Sequence, residues 1–125
     1  MLALVLQNER VARQFGMLAV DVQTLHLMVL HQGPLTPSIV AALSELPAST
    51  VTRVLDRLEA RGFIQRIADD GDQRRLHIAL DRKKIAPVRA MFDDFVSDFL
   101  AFTTHFSVKD QVAIARFMDG LVSLL

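Results

Sequence analysis

The spacing of apolar residues predicts helices over most of the chain, with a change of period in its middle. Apolar side chains recur at helical intervals from Leu4 to Leu18. A second apolar set at residues 25–29 follows a break near residues 16–20. The first thirty residues are therefore predicted to form two helices.

Two further helices are predicted by their end signals. Thr36 and Pro37 have the chemistry of an N-cap and a first-turn proline, and a short helix is expected after them. After an interruption at residues 44–47, apolar spacing predicts a longer helix over residues 48–61. Gly62 would end that helix in the left-handed conformation, which glycine adopts without strain.

Beyond Gly62 the apolar period changes, which favours two short strands. Residues 63–67 form one apolar segment, and residues 76–80 alternate strictly between apolar and polar side chains. The segment between them, residues 68–75, is polar and contains Gly71. Two short strands joined by such a loop are typical of a β-hairpin.

Two helices are predicted to complete the chain. Asp81 would cap a long helix that runs to about His105, and Ser107 or Asp110 would begin the last one. Pro87 falls early in the long helix, where an interior proline costs about 3 kcal/mol, so a kink or a delayed start is expected there.

The predicted order is thus four helices, two strands and two helices, a mainly α fold with a small β-hairpin. Two short helices followed by a two-stranded sheet form a winged helix-turn-helix. The hairpin is the wing, and it is too small to be stable unless it packs against the helices.

Composition excludes several classes of chemistry. The chain has no cysteine, which excludes disulfides, thiolate zinc sites and cysteine nucleophiles. No apolar run is long enough to cross a membrane, and residues 1–6 lack the basic leader of a signal peptide. A soluble, cytoplasmic protein without membrane contact is therefore expected.

The charge is unevenly placed although the net charge is zero. Ten of the 14 Lys and Arg residues lie within residues 53–89, alongside six acidic residues. This third of the chain contains the end of the fourth helix and the whole hairpin. It is either an anion-binding surface or an ordinary solvated face.

The predicted helix at residues 48–61 has one apolar and one polar face. Its apolar positions are Val51, Val54, Leu55 and Leu58, and its polar positions include Ser49, Thr50, Thr52, Arg53 and Arg57. Hydroxyls and free N–H groups at a helix N-terminus suit phosphates, and Arg53 could bind O6 and N7 of a guanine. A solvated face without a partner is the alternative.

Three stretches resemble the multiple antibiotic resistance regulator (MarR) family. They are Leu-Thr-Pro-Ser at residues 35–38, the run from Ala48 to Arg66, and Asp-Gln-Arg at residues 72–74. Members of that family are homodimeric winged-helix transcription factors, mostly repressors. They bind pseudo-palindromic operators and often respond to small aromatic or lipophilic ligands. The resemblance covers about residues 18–125 and implies a homodimer that binds double-stranded DNA and such an effector.

The resemblance also implies a role for individual residues. Ser49, Thr50, Thr52 and Arg53 match recognition-helix positions that face DNA. We predict that Arg57, on the same helix, also contacts DNA. In the wing, Asp72 would orient Arg74 towards the minor groove, where negative potential is concentrated. Arg66 and Arg75 would be supporting phosphate contacts.

The family pattern implies one domain over residues 1–125. Within it, residues of about 20–84 would form the DNA-binding lobe, and residues of about 1–19 and 85–125 would form the dimerisation helices.

The sequence departs from the family at three points. Glu45 stands where the family usually has glycine, so the turn before the recognition helix is expected to be built differently. Pro47 replaces the usual hydroxyl N-cap. Residues 82–84 place three basic side chains in a first helical turn, where they oppose the helix dipole.

Five phenylalanines follow the spacing of a coiled-coil seam. They are separated by three, four, three and four residues: Phe92, Phe95, Phe99, Phe102 and Phe106. One interpretation is a dimer interface with a second copy, since large apolar patches are rare on monomers. The other is a stripe packed on the wing lobe of its own chain.

No motif in the sequence indicates an enzyme, a metal site or a cofactor. The four histidines do not have metal-ligand spacing. His26, with Met17 and Met28, could line a ligand pocket, although a lone histidine on an apolar face is more often a core residue. A winged helix that binds only proteins remains the alternative to a DNA-binding regulator.

Overall fold

The computed structural model describes the backbone at residues 2–69 and 72–125, and the side chains at residues 5–68 and 76–125. Six helices and two strands follow the predicted order. They are α1 (Leu2–Phe15), α2 (Ala19–Leu30), α3 (Pro37–Ser44), α4 (Ala48–Ala60), β1 (Ile64–Asp69), β2 (Asp72–Leu80), α5 (Arg82–Thr103) and α6 (Val108–Ser123). The chain divides into two compact units, residues 1–91 and residues 92–125.

Polar side chains begin three of the helices where the sequence predicts. The hydroxyl of Thr36 accepts a hydrogen bond from the Ile39 N–H at 3.2 Å. The Asp81 carboxylate accepts bonds from the N–H groups of residues 83 and 84, both at 3.1 Å. The hydroxyl of Ser107, rather than Asp110, caps α6. Each cap satisfies N–H groups that have no partner within the helix.

The expected delay at Pro87 is wrong, because α5 begins at Arg82 and continues through the proline. Pro87 is the sixth residue of the helix, so it removes a single backbone hydrogen bond just beyond the first turn. The Asp81 cap, which comes before Pro87 in the chain, fixes the start of the helix.

The two strands are longer than predicted. They pair antiparallel from Ile64 opposite Leu80 to Ala68 opposite Leu76, and an irregularity between Ala68 and Asp69 shifts the register. Residues predicted to be loop therefore extend both strands. Polar composition does not prevent this, because an antiparallel hairpin can leave one of its faces exposed to water.

The core of the first unit forms where the helices and the wing meet. The backbone N–H of Ile78 donates to the Leu35 carbonyl at 2.8 Å, which fastens the wing to the segment before α3. The buried apolar side chains include Val11, Val22, Leu25, Met28, Val40, Val51, Val54, Leu55, Leu58, Ile64, Ile78, Ile85 and Val88. The predicted apolar face of α4 is thus confirmed, and it fixes which side of α4 is left to face outwards.

The turn between α3 and α4 keeps the conformation of a glycine although it carries Glu45. Glu45 ends α3 with φ of 56°, in the left-handed region. This conformation costs a glycine nothing, but it strains a residue with a side chain such as Glu45.

Glu45→Gly is expected to raise the free energy of unfolding by about 1 kcal/mol, because it removes the cost of a left-handed side-chain residue. Urea unfolding followed by circular dichroism measures the change. Ala42→Gly, at an exposed position within α3, is the matched control and should lower stability by about 0.5–1 kcal/mol. Equal destabilisation by both substitutions would contradict the strain at Glu45.

The second unit leaves most of its apolar side chains exposed. Phe92 is 5% exposed, but Phe99 and Phe102 are 53% and 58% exposed. Helix α6 has no buried residue, and Val112, Phe117 and Leu121 are among its exposed apolar side chains. Within the part of the chain that is described, no helix is long and apolar enough to cross a membrane.

Candidate nucleic-acid interface

Helix α4 presents its polar face to solvent. Ser49, Thr52 and Arg53 are exposed, and Thr50 is half-buried. Pro47 precedes the helix at the N-cap position and provides no side-chain cap, as the sequence predicts. Its first N–H groups are therefore left for solvent or for an anionic ligand, in the region of highest positive helix potential.

Arg53 is the exposed cation of this face. Neither a hydrogen bond nor an ion pair within residues 5–68 and 76–125 holds its guanidinium. Its five donors remain available for a ligand, and a guanidinium is suited to bidentate contacts with phosphate or with a guanine edge. The position on α4 agrees with the placement expected from the sequence.

Arg57 was predicted to face DNA, but it binds another part of the protein. Its Nε and Nη2 donate to the two carboxylate oxygens of Asp21 in α2, each at 2.8 Å. This hydrogen-bonded pairing raises the pKa of Arg57 above its ordinary value. With its donors in a two-pronged ion pair, Arg57 links α4 to α2.

Arg66, predicted to contact phosphate, is also paired within the fold. Its backbone N–H donates to Glu59 at 2.9 Å, and its guanidinium binds Asp56 at 2.6 Å and Glu59 at 3.0 Å. The bonds from Arg66 lower the pKa of Glu59. This contribution to stability is present above the ordinary carboxyl pKa and is lost as the pH falls through the lowered one. The cluster joins β1 of the wing to α4.

Arg61 was not assigned a role by the sequence. Its guanidinium donates to the carbonyls of Phe15, at 3.0 Å, and of Gly16, at the end of α1. Carbonyls at a helix C-terminus lack partners within the helix, and a cation there is favoured by the dipole. The only signal in the sequence was the four-residue spacing from Arg57, which places both arginines on one side of α4.

The remaining predicted DNA contacts are residues of the wing. Asp72, Arg74 and Arg75 belong to the N-terminal part of β2. Their side chains lie outside the described residues. The backbone therefore places these positions near the tip of the wing, where the sequence predicted them.

The three residues of the predicted ligand pocket lie in different surroundings. His26 lines a cavity of about 470 Å³ between α1 and α2, together with Val5, Glu9 and Gln23. Met28 is fully buried and borders a different cavity, of about 870 Å³. Met17 is buried in the core. Among the described side chains, no group of three histidine or carboxylate residues is placed to hold a metal ion.

Comparisons with known proteins agree with this geometry. Residues 23–76 match the model of the MarR family. The structure resembles the MepR–DNA complex of Staphylococcus aureus, with 26% identity, a TM-score of 0.71, and coverage of 95% of this chain and 90% of MepR. MepR bound to ethidium bromide gives 26% identity, a TM-score of 0.69, and coverage of 95% and 86%.

A third solved structure, the transcriptional regulator Tm0710 from Thermotoga maritima, shares the fold at 24% identity and a TM-score of 0.60, covering 95% of this chain and 83% of Tm0710. No curated protein matches the sequence significantly. The helix-turn-helix, the wing and the flanking helices are thus those of proteins that bind DNA in the solved complexes. Through residues 23–76 and through its fold, the chain is similar to the MarR family of winged-helix transcriptional regulators.

Proposed function

We propose that the protein is a sequence-specific repressor that binds a pseudo-palindromic operator as a homodimer. The observation that carries this proposal is the outward face of α4, where an unpaired Arg53 lies beside exposed hydroxyls and an uncapped helix N-terminus. Such a face suits the major groove, because hydroxyls and N–H groups bind phosphates while arginine distinguishes guanine.

The DNA surface has two parts in this proposal. Ser49, Thr50, Thr52 and Arg53 of α4 enter the major groove. Asp72, Arg74 and Arg75 of the wing approach the minor groove and its phosphates. Arg57 and Arg66, which are paired with carboxylates of the same chain, support these elements from within.

The exposed phenylalanines support the homodimer. Phe99 and Phe102 lie along one side of α5, and α6 adds further exposed apolar side chains. A second copy would remove this surface from water. Two-fold symmetry would then place two recognition helices about 34–36 Å apart, one turn of DNA.

A small aromatic or lipophilic effector is the proposed signal for release. MepR is known in a complex with ethidium bromide. In the present chain, the cavity between α1 and α2 combines apolar side chains with His26 and Glu9. This cavity is large enough for a small aromatic molecule.

Arg53→Ala tests the role of α4. It should weaken binding to the preferred site by about 1–3 kcal/mol and relax selection at one base pair of each half-site. The preferred site is first selected from random duplex DNA, and affinities are then measured for single-base variants of it. Arg10→Ala is the matched control, since it removes an exposed arginine from α1 and should leave affinity unchanged.

The outcome separates two roles of Arg53. If the substitution weakens binding to every sequence by the same factor, Arg53 is a phosphate contact and does not distinguish bases. If no site is selected from random DNA by the unmodified protein, sequence-specific binding itself is contradicted.

A further inference from the structure

Three arginines follow one another at intervals of four residues, two within α4 and the third at its C-cap, and they have different environments. Arg53, near the N-terminus, has no partner among the described residues. Arg57 and Arg61, in the C-terminal half, bind residues 15–21, which connect α1 to α2. We call residues 15–21 the α1–α2 corner. The sequence shows a uniform row of three arginines. In the structure the first has no partner among the described residues, and the other two bind the α1–α2 corner.

Asp21 is the main anchor of the corner. Its side chain is only 5% exposed, and both carboxylate oxygens accept bonds from Arg57. It lies in the first turn of α2, where the helix dipole favours a negative charge. A buried charge that loses its partner strongly destabilises the fold. The Asp21–Arg57 pair therefore favours one arrangement of α4 against α2.

Arg61 adds a second anchor one turn further along α4. It binds the carbonyls of Phe15 and Gly16, where Gly16 has φ of 61° and turns the chain out of α1. The two arginines hold the end of α1 and the start of α2 together. Two attachment points, unlike one, restrict both the position of α4 and its rotation about its own axis.

Anchoring at the C-terminal half determines where the free arginine points. Arg53 is four residues from Arg57, about 6 Å along the axis and on nearly the same side of the helix. Base reading requires side chains held within about 0.5 Å and about 10–20° of the productive geometry. A small rotation of α4 at Arg57 would therefore move Arg53 relative to a base edge.

We infer that Asp21, Arg57 and Arg61 are positioning residues that set base specificity by fixing α4 against the α1–α2 corner, without themselves touching DNA. This inference rests on the proposed operator binding through α4. It assigns a role in base specificity to Asp21, whose carboxylate in α2 is not itself expected to contact DNA.

The test measures discrimination, the ratio of affinities for the selected operator and for an operator with one base pair changed in each half-site. We expect Asp21→Asn and Arg57→Gln each to reduce this ratio by about tenfold, since a single base pair carries discrimination of that order. The double variant should lose no more than either single one, because both disrupt the same pair. The salt dependence of binding should keep its slope, since no phosphate contact is removed.

Arg57→Lys provides a variant that keeps the positive charge while losing the two-pronged geometry. It should fold, retain the slope with salt and still lose several-fold in discrimination. Circular dichroism confirms folding of every variant at the temperature of the binding assay. Arg10→Gln and Asp94→Asn, at exposed positions in α1 and α5, are the charge-matched controls and should leave discrimination unchanged.

Each contrary result overturns the inference in its own way. If Arg57→Gln lowers the salt slope by about two per dimer and Asp21→Asn tightens binding, Arg57 contacts phosphate. If the folded Arg57→Lys protein discriminates as well as the unmodified one, the pair serves stability alone. Loss of discrimination by the unmodified protein would instead contradict the proposed function, so the two failures are distinguishable.

Discussion

Phe99→Asp is expected to convert the protein to monomers and to lower operator affinity by about a thousandfold or more, towards that for non-specific DNA. Phe99 is 53% exposed in the single chain, at the centre of the five phenylalanines, of which the first four share one side of α5 and Phe106 follows its end. In a dimer that covers this stripe, a carboxylate at position 99 would be buried against apolar side chains. The cost of burying an unpaired charge exceeds what the interface can offset.

Sedimentation and circular dichroism measure the two parts of this result. The variant should sediment as a monomer while it keeps its helical content, because an exposed side chain contributes little to the fold of its own chain. Operator binding should be lost because one half-site alone binds weakly. Ser97→Asp introduces the same charge on the opposite side of α5 and is the matched control, which should stay dimeric.

Phe99→Leu keeps an apolar side chain at the same position and should preserve both the dimer and DNA binding. If Phe99→Asp remains dimeric, the stripe is not the interface, and the exposed apolar residues of α6 are the next candidates. If the variant is monomeric yet binds the operator at full strength, the requirement for two recognition helices is wrong.

The elements of the fold were predictable because local signals mark their ends. Thr36, Asp81 and Ser107 cap helices through hydrogen bonds to residues two or three positions along the chain. Gly62 follows α4 with φ of 78°. Such signals depend on neighbouring residues only, so they can be recognised without tertiary structure. The strand ends were missed because Asp72 and its neighbours are polar, and pairing across the hairpin overrides that preference.

The roles of the basic residues were less predictable, for a reason of distance. Arg53 and Arg57 are the same residue type on the same side of one helix, and the sequence predicts DNA contact for both. They differ because Asp21, 36 residues away in sequence, reaches Arg57 and not Arg53. Local pattern identifies a basic face, but the packing of α2 against α4 determines which cations remain free.

The pairing of Arg66 was closer to what a sequence could reveal. Asp56 and Glu59 are three residues apart on α4, so they lie on one side of it and form an acidic pair opposite β1. The sequence did not show that α4 and β1, which are joined through Gly62, lie close enough for Arg66 to reach this acidic pair. The same dependence on tertiary contacts separates two of the ligand-pocket candidates, since His26 and Met28 border different cavities.

Operator affinity is expected to fall roughly 10³–10⁵-fold between 50 and 200 mM salt, if each dimer neutralises about 6–10 phosphates. That range requires about three to five phosphate-binding cations per protomer. The internal pairs reduce the number of cations that are available for phosphate, because Arg57, Arg61 and Arg66 bind groups of the same chain. The expected contribution comes instead from the wing arginines and the lysines at residues 83 and 84.

Measuring affinity over a series of salt concentrations gives the slope that tests this account. Arg74→Ala should lower the slope by about two per dimer, because each protomer loses one phosphate-bound counterion site. Arg10→Ala, which removes the same charge from α1, should leave it unchanged. A nearly flat dependence for the unmodified protein would contradict the assignment of α4 and the wing as the DNA surface. A slope well above ten would instead mean that paired arginines such as Arg66 exchange their carboxylate partners for phosphates on binding.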